Sequence, residues 1–224
     1  MTVTESLAPS REAGIDWGRL VVVPVFAVLL VANVQAMVAA SADGARGATG
    51  LLGIVASFAT LVFLGLVIVA YLRRGPATAT TTSWAAKAAS STATFLPFIV
   101  LPLVGAGGGV GENAAALLLI ASGMGVAAWA VTSLGRNLSV FPQARRLADG
   151  GPYHWVRHPL YTAELFALSG VCLHSGQPAA LLLVPVMAGL QAYRAVAEER
   201  LLKCWVPDYL DYRKRTNALV PGVW

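Results

Sequence analysis

Six apolar stretches limit what this chain can fold into: Leu20–Ala40, Leu51–Leu72, Thr92–Gly109, Ala114–Leu134, Leu160–Leu173 and Pro178–Val196. A helix needs about 20 apolar residues to cross the hydrocarbon core of a bilayer. Within lipid every backbone group must be satisfied internally, which a helix does on its own. Only 12% of the 224 residues are charged, about half the share found in soluble domains. The expected fold is therefore all-α, a polytopic membrane bundle of about six transmembrane segments. The third stretch is interrupted by Pro97, Pro102 and a glycine run. The fifth, about 14 residues long, suits a tilted or half-buried helix better than a free-standing span. Leu173 to Pro178 reads as a tight turn, so the last two segments form a helical hairpin. The first stretch ends at Ala40-Ser41-Ala42, which mimics a signal cleavage site. It is longer than the roughly 7–15 residues of a signal core, and Glu5, Glu12 and Asp16 dilute the charge before it, so it reads as a retained anchor.

Charge sets the orientation. Arg73, Arg74 and Lys87 follow the second segment; Arg136, Arg145, Arg146 and Arg157 follow the fourth; Arg200, Lys203, Arg213, Lys214 and Arg215 follow the sixth. The intervening loops carry only Asp43, Arg46 and Glu112. The positive-inside rule then places both termini in the cytoplasm, in the plasma membrane of the cell. It also accounts for the net charge of +5 without nucleic acid, for which no soluble basic domain is present. Residues 75–91, rich in Thr, Ala and Ser, read as a flexible connector lying at the surface. Asn33 and Gln35 read as groups that bridge helices. Cys172 and Cys204 form no metal-ligand pattern, and no metal is expected.

Polar chemistry gathers in one place. In "GPYHWVRHPLY", residues 151–161, Pro159 fits the first turn of the fifth segment, which puts His158 at its cap and Arg157 just before it. The open N–H groups of a helix start favour an anion. On the sixth segment Arg194 and Glu198 are four apart and share a face, while Glu199 points elsewhere. Ionisable groups at a membrane helix end are costly unless paired or wet. The hairpin brings the two clusters together as a pocket on the cytoplasmic side. Glu198 suits ribose hydroxyls, the helix start suits a carboxylate, and Tyr153, Trp155 and Tyr161 suit a flat base or a sulfonium. S-adenosylmethionine is compatible with that set. His174 lies at the opposite end, away from the cluster.

The arginine-histidine-proline of "GPYHWVRHPLY", followed by "AEERLL" 38 residues after Pro159, resembles the signature of isoprenylcysteine carboxyl methyltransferases and, more loosely, of phospholipid N-methyltransferases. "PDYLDYRKRTNALVPGVW" is similar to that family's closing pattern. The likeness covers about residues 130–224, which divides the chain into an accessory two-helix region with its connector, 1–91, and a membrane methyltransferase core, 92–224. The resemblance implies an enzyme that uses S-adenosylmethionine on a lipophilic or lipidated acceptor: an isoprenylcysteine-type carboxylate, a lipid or a thiol. Cofactor contacts carry over onto Gln143, the strip Arg145, Arg146, Leu147 and Ala148, Tyr153, the stretch Arg157, His158, Pro159, Leu160 and Tyr161, and Glu198 with Glu199. Arg194 matches the arginine that faces the acceptor, and with Glu198 it makes the catalytic pair. Ala163 stands where the family pattern has glycine, which narrows the room for a neighbouring helix.

Two other classes compete. A sterol-reductase-like, NADPH-dependent membrane oxidoreductase requires phosphate contacts, for which Arg145, Arg146 and Arg157 are the candidates. A non-catalytic membrane partner requires no charged pocket inside a hairpin.

Overall fold

The computed structural model describes residues 7–9, 16–42, 47–104, 114–219 and 222. Glu5, Glu12, Asp43, Arg46, Glu112, the glycine run after residue 104 and the Val220-Pro221 pair lie outside them.

The chain is mostly helical. Its helices are α1 (Trp17–Ala42), α2 (Gly47–Arg73), α3 (Trp84–Val104), α4 (Ala114–Leu134), α5 (Pro159–His174), α6 (Leu183–Trp205) and α7 (Tyr209–Arg215). Four stretches are long and apolar enough to cross a membrane: Gly18–Ala39, Gly50–Arg73, Ala114–Asn137 and Pro178–Trp205. They coincide with the first, second, fourth and sixth expected segments. The third begins eight residues earlier than expected, at Trp84 rather than Thr92, and continues through Pro97. The fifth is a helix of 16 residues.

Local chemistry fixes where these helices begin. The Asp16 carboxylate accepts the Arg19 N–H at 3.0 Å, and the Ser83 hydroxyl accepts the Ala86 N–H at 3.3 Å. Each satisfies a donor that a helix start leaves open.

The helical expectation holds for most of the chain, to which one small sheet is added. Three short strands, β1 (Leu7–Pro9), β2 (Ala79–Thr81) and β3 (Gln143–Ala144), make an antiparallel sheet in the order β1-β2-β3. The connector at 75–91 is thus ordered rather than flexible: it supplies the central strand and the first turns of α3. Ala79 is fully buried under Leu201 of α6, so the sheet covers the polar end of the bundle and pairs backbone groups that burial would otherwise orphan. Asn33 bridges no helices among the described residues, since its buried Oδ1 has no partner, and Gln35 is exposed.

Packing pairs α4 with α5, α2 with α4 and α1, and α3 with α6. The α4–α5 contact depends on small residues. A β-carbon on Gly123 would lie 2.6 Å from the Ala167 amide nitrogen and 2.8 Å from the Ala163 carbonyl oxygen. One on Gly170 would lie 2.6 Å from the Ala116 carbonyl oxygen. These glycines let α4 and α5 approach backbone to backbone. With α5 on α4 and α6 on α3, the hairpin closes by a turn at Ser175–Leu182, and its arms meet through an apolar cluster of Leu168, Cys172, Leu183 and Met187 near the turn and through polar side chains at the other end.

Candidate functional site

The site is built where α5 starts. Gly150–His154 turns tightly, and Pro159 supplies the first helical residue behind His158. The segment after α7 straps this corner. Arg157 N–H donates to the Asn217 carbonyl at 2.8 Å, and His158 N–H to the Ala218 carbonyl at 3.0 Å. The Thr162 hydroxyl reaches the Leu219 carbonyl at 2.8 Å. These N–H groups, expected to be open for an anion, are taken by the chain itself.

The end of α6 meets this corner. Arg157 Nε donates to Glu199 at 2.7 Å, with both side chains nearly buried. Arg157 also reaches the Thr216 carbonyl, and Glu199 has Arg213 at 3.4 Å and His158 Nε2 at 3.5 Å. Glu199 therefore points into the cluster, contrary to expectation. The tail brings cations beneath α6, and they turn a carboxylate that would otherwise face solvent. Arg157 spends its charge on Glu199 and does not stand free for a ligand anion.

One turn further in, the Tyr161 hydroxyl donates to Glu198. The His158 ring lies parallel to Tyr161, 5.3 Å between centroids, and the Arg194 guanidinium sits 4.5 Å from the Tyr161 centroid. Arg194 is buried. It donates from Nη1 to Gln191 Oε1 and from Nη2 to the Val140 carbonyl, each at 3.1 Å, while its Nε has no partner among the described residues.

A cavity of about 110 Å³ opens on the other side of these groups. Gln143, Arg145, Arg146, Leu147 and Ala148 form one wall. Tyr153, Arg157, His158, Leu160 and Tyr161 form another, and Glu198 closes it. Pro159, Arg194 and Glu199 do not reach the cavity; Pro159 starts the helix and the other two brace it. Trp155 is turned outward against Trp129, 5.6 Å between centroids. Arg145 is held by Gly75 and by Gln143, whose Oε1 also accepts from Ser139 at 2.9 Å. Arg146 is exposed, and no acid pairs with it among the described residues. Burial, reinforced by the nearby Glu198 charge, pushes the Tyr153 hydroxyl well above its ordinary range, so it stays a neutral donor.

Several groups at the site are not singled out by the sequence, although two of them, Tyr209 and Tyr212, lie in its closing pattern. Asn137, Phe141, Tyr209 and Tyr212 also line the cavity. Tyr212 donates to the Tyr153 carbonyl at 2.7 Å, while the buried Tyr209 hydroxyl has no partner among the described residues. Glu164, within the fifth apolar stretch, accepts from Gln191 Nε2 at 2.7 Å. A carboxylate inside a membrane helix is itself a signal, and it went unused.

Residues 112–204 match the family model described as phospholipid methyltransferase. The matched region runs to the end of α6 and holds both polar clusters. No curated protein matches the chain. Among solved structures it is similar to the eukaryotic intramembrane Ras methyltransferase ICMT (isoprenylcysteine carboxyl methyltransferase), with 16% identity and a TM-score of 0.45 over 78% of this chain and 74% of that one.

Proposed function

We propose that the chain is a membrane methyltransferase, a reading supported by the family match over residues 112–204, and that its cavity holds S-adenosylmethionine and receives a lipophilic acceptor. The observation that carries this reading is Glu198, a carboxylate tethered by Tyr161 and presented to a cavity with largely aromatic and apolar walls. The donor set fits the cofactor. Arg146 is available to its carboxylate and Glu198 to its ribose hydroxyls. Tyr153 and Phe141 offer rings for its base, and the orphaned Tyr209 hydroxyl offers one further donor. When bound, the cofactor supplies an activated methyl group and departs as a neutral thioether.

What the chain contributes is alignment and exclusion of water, the main source of rate in such an in-line displacement. Tyr161 fixes Glu198, His158 stacks on Tyr161, and Arg194 backs the pair. Arg194 lies behind this wall, over the Tyr161 ring, and its charge favours the side on which an acceptor enters, be it an isoprenylcysteine-type carboxylate or a lipid headgroup. A thiol acceptor uses the same approach. Of the three arginines that a nicotinamide cofactor's phosphates require, Arg145 and Arg157 are already engaged, which favours the methyl donor.

The same reading places both termini and the site in the cytoplasm. Arg73, Arg136, Arg145 and Arg157 gather at one end of the bundle, as the positive-inside rule requires. It counts α3 and α5 as the third and fifth of six membrane segments, in the plasma membrane.

Calorimetry with S-adenosylmethionine on the detergent-solubilised chain tests the site: Glu198→Ala abolishes binding. Incubation with labelled cofactor and a total lipid extract then identifies what gains one methyl group. Unchanged affinity in the variant refutes the placement of the cofactor.

A further inference from the structure

A second cleft lies between α2 and α4, on the far side of the α4 terminus from the cavity described above. Leu134 and Asn137 face the first cavity, whereas Thr132, Gly135 and Arg136 face the cleft. The cleft has a volume of about 750 Å³. Its body is apolar, formed by Leu66, Val69, Ala70 and Val131. Its rim is basic. Arg136 Nε donates to the Arg73 carbonyl at 2.9 Å, which caps the end of α2, and both arginines line the cleft. Both side chains are exposed, and no acid pairs with either among the described residues. The nearest acid in this corner, Asp16, is bound by Arg74 and Arg19.

We propose that this cleft binds one anionic phospholipid, with its phosphate on Arg73 and Arg136 and an acyl chain along the apolar body. Charge complementarity selects the occupant. Two neighbouring guanidiniums repel one another unless an anion lies between them, and each can fork two N–H bonds onto phosphate oxygens. Basic pockets between membrane helices at this level capture acidic lipid headgroups. A zwitterionic lipid brings a cation of its own to a rim that already holds two. Free phosphate makes the rim contacts but leaves the apolar body unfilled. The occupant is not the methyl acceptor, because the end of α4 separates the cleft from Glu198, and its binding does not depend on the proposed reaction.

The full chain is exchanged into nanodiscs of phosphatidylcholine with or without phosphatidylglycerol of matched acyl chains. Thermal midpoint and lipid retention in native mass spectrometry are recorded, with inorganic phosphate as a separate addition. Phosphatidylglycerol raises the midpoint and leaves one retained lipid; phosphate alone does neither. The Arg73→Gln/Arg136→Gln double variant weakens lipid binding at least about tenfold, while Arg200→Gln/Lys203→Gln, which removes two exposed cations on α6, keeps it. A photoreactive acyl chain labels 66–73 or 131–136 in the unmutated protein, which keeps the test independent of how the variants fold. Equal loss in both double variants, stabilisation by phosphate alone, or labelling confined to other segments overturns the proposal.

Discussion

Tyr161 on α5 donates its hydroxyl hydrogen to Glu198 on α6, so a single hydrogen bond joins the two arms of the hairpin at the cavity wall. A bond to a charged group is worth about 1.5–3 kcal/mol. Tyr161→Phe keeps the ring between His158 and Arg194 but frees the carboxylate. Affinity for S-adenosylmethionine falls roughly tenfold or more, measured by calorimetry, with little change in thermal midpoint.

The α4–α5 interface has no room for a methyl group at its glycines. Gly123→Ala places a carbon against the Ala167 amide and the Ala163 carbonyl, and overpacking of this kind costs about 1–3 kcal/mol. Its thermal midpoint in detergent drops. Gly189→Ala, on α6 with no neighbouring atom within 4 Å, holds steady or rises slightly.

Arg157 and Glu199 form a nearly buried ion pair. Removing one partner of such a pair leaves an uncompensated charge and costs about 3–5 kcal/mol. Glu199→Gln loosens the strap that follows α7, and limited trypsin digestion then cuts faster at Arg213, Lys214 and Arg215 than in the unmutated protein. Equal cutting rates show that the pair does not hold the strap.

Asp16 gives the fold an acid limit. Burial alone raises its pKa, but the hydrogen bond and charge of Arg74, with help from Arg19, outweigh it and hold the carboxyl below its ordinary range. The folded value lies below the unfolded one, so the stabilisation is complete above about pH 4 and fades as pH falls through the folded value. Denaturation midpoints fall in that acid window for the unmutated protein. Asp16→Asn starts lower at pH 7 and has a shallower slope there.

The helices were legible because lipid imposes length and apolarity, and the four longest stretches carry that signal through every turn. The cavity wall was legible for a different reason: a histidine at a proline-started helix and an arginine-glutamate pair four residues apart on α6 are costly near lipid, so their presence marks a site. Three-residue strands such as Ala79–Thr81 leave no periodicity to read, and their partners lie more than 60 residues away. Glu199 deceived because its neighbour Glu198 faces the cavity and one helical step turns it aside. Only the position of Arg157 and Arg213, set by tertiary packing, shows where it goes. Glu164 stands out as an acid in an apolar stretch, but its partner Gln191 follows only from the register between α5 and α6.

Backbone bonds from 157 and 158 to 217 and 218 also set an order of assembly. Those carbonyls leave the ribosome some sixty residues after the corner they complete. During synthesis α5 forms with its entrance still unbraced, and the pocket wall is complete only once the strap has been made and has wrapped back. A nascent chain halted between these points therefore has the start of α5 without the backbone partners that hold it.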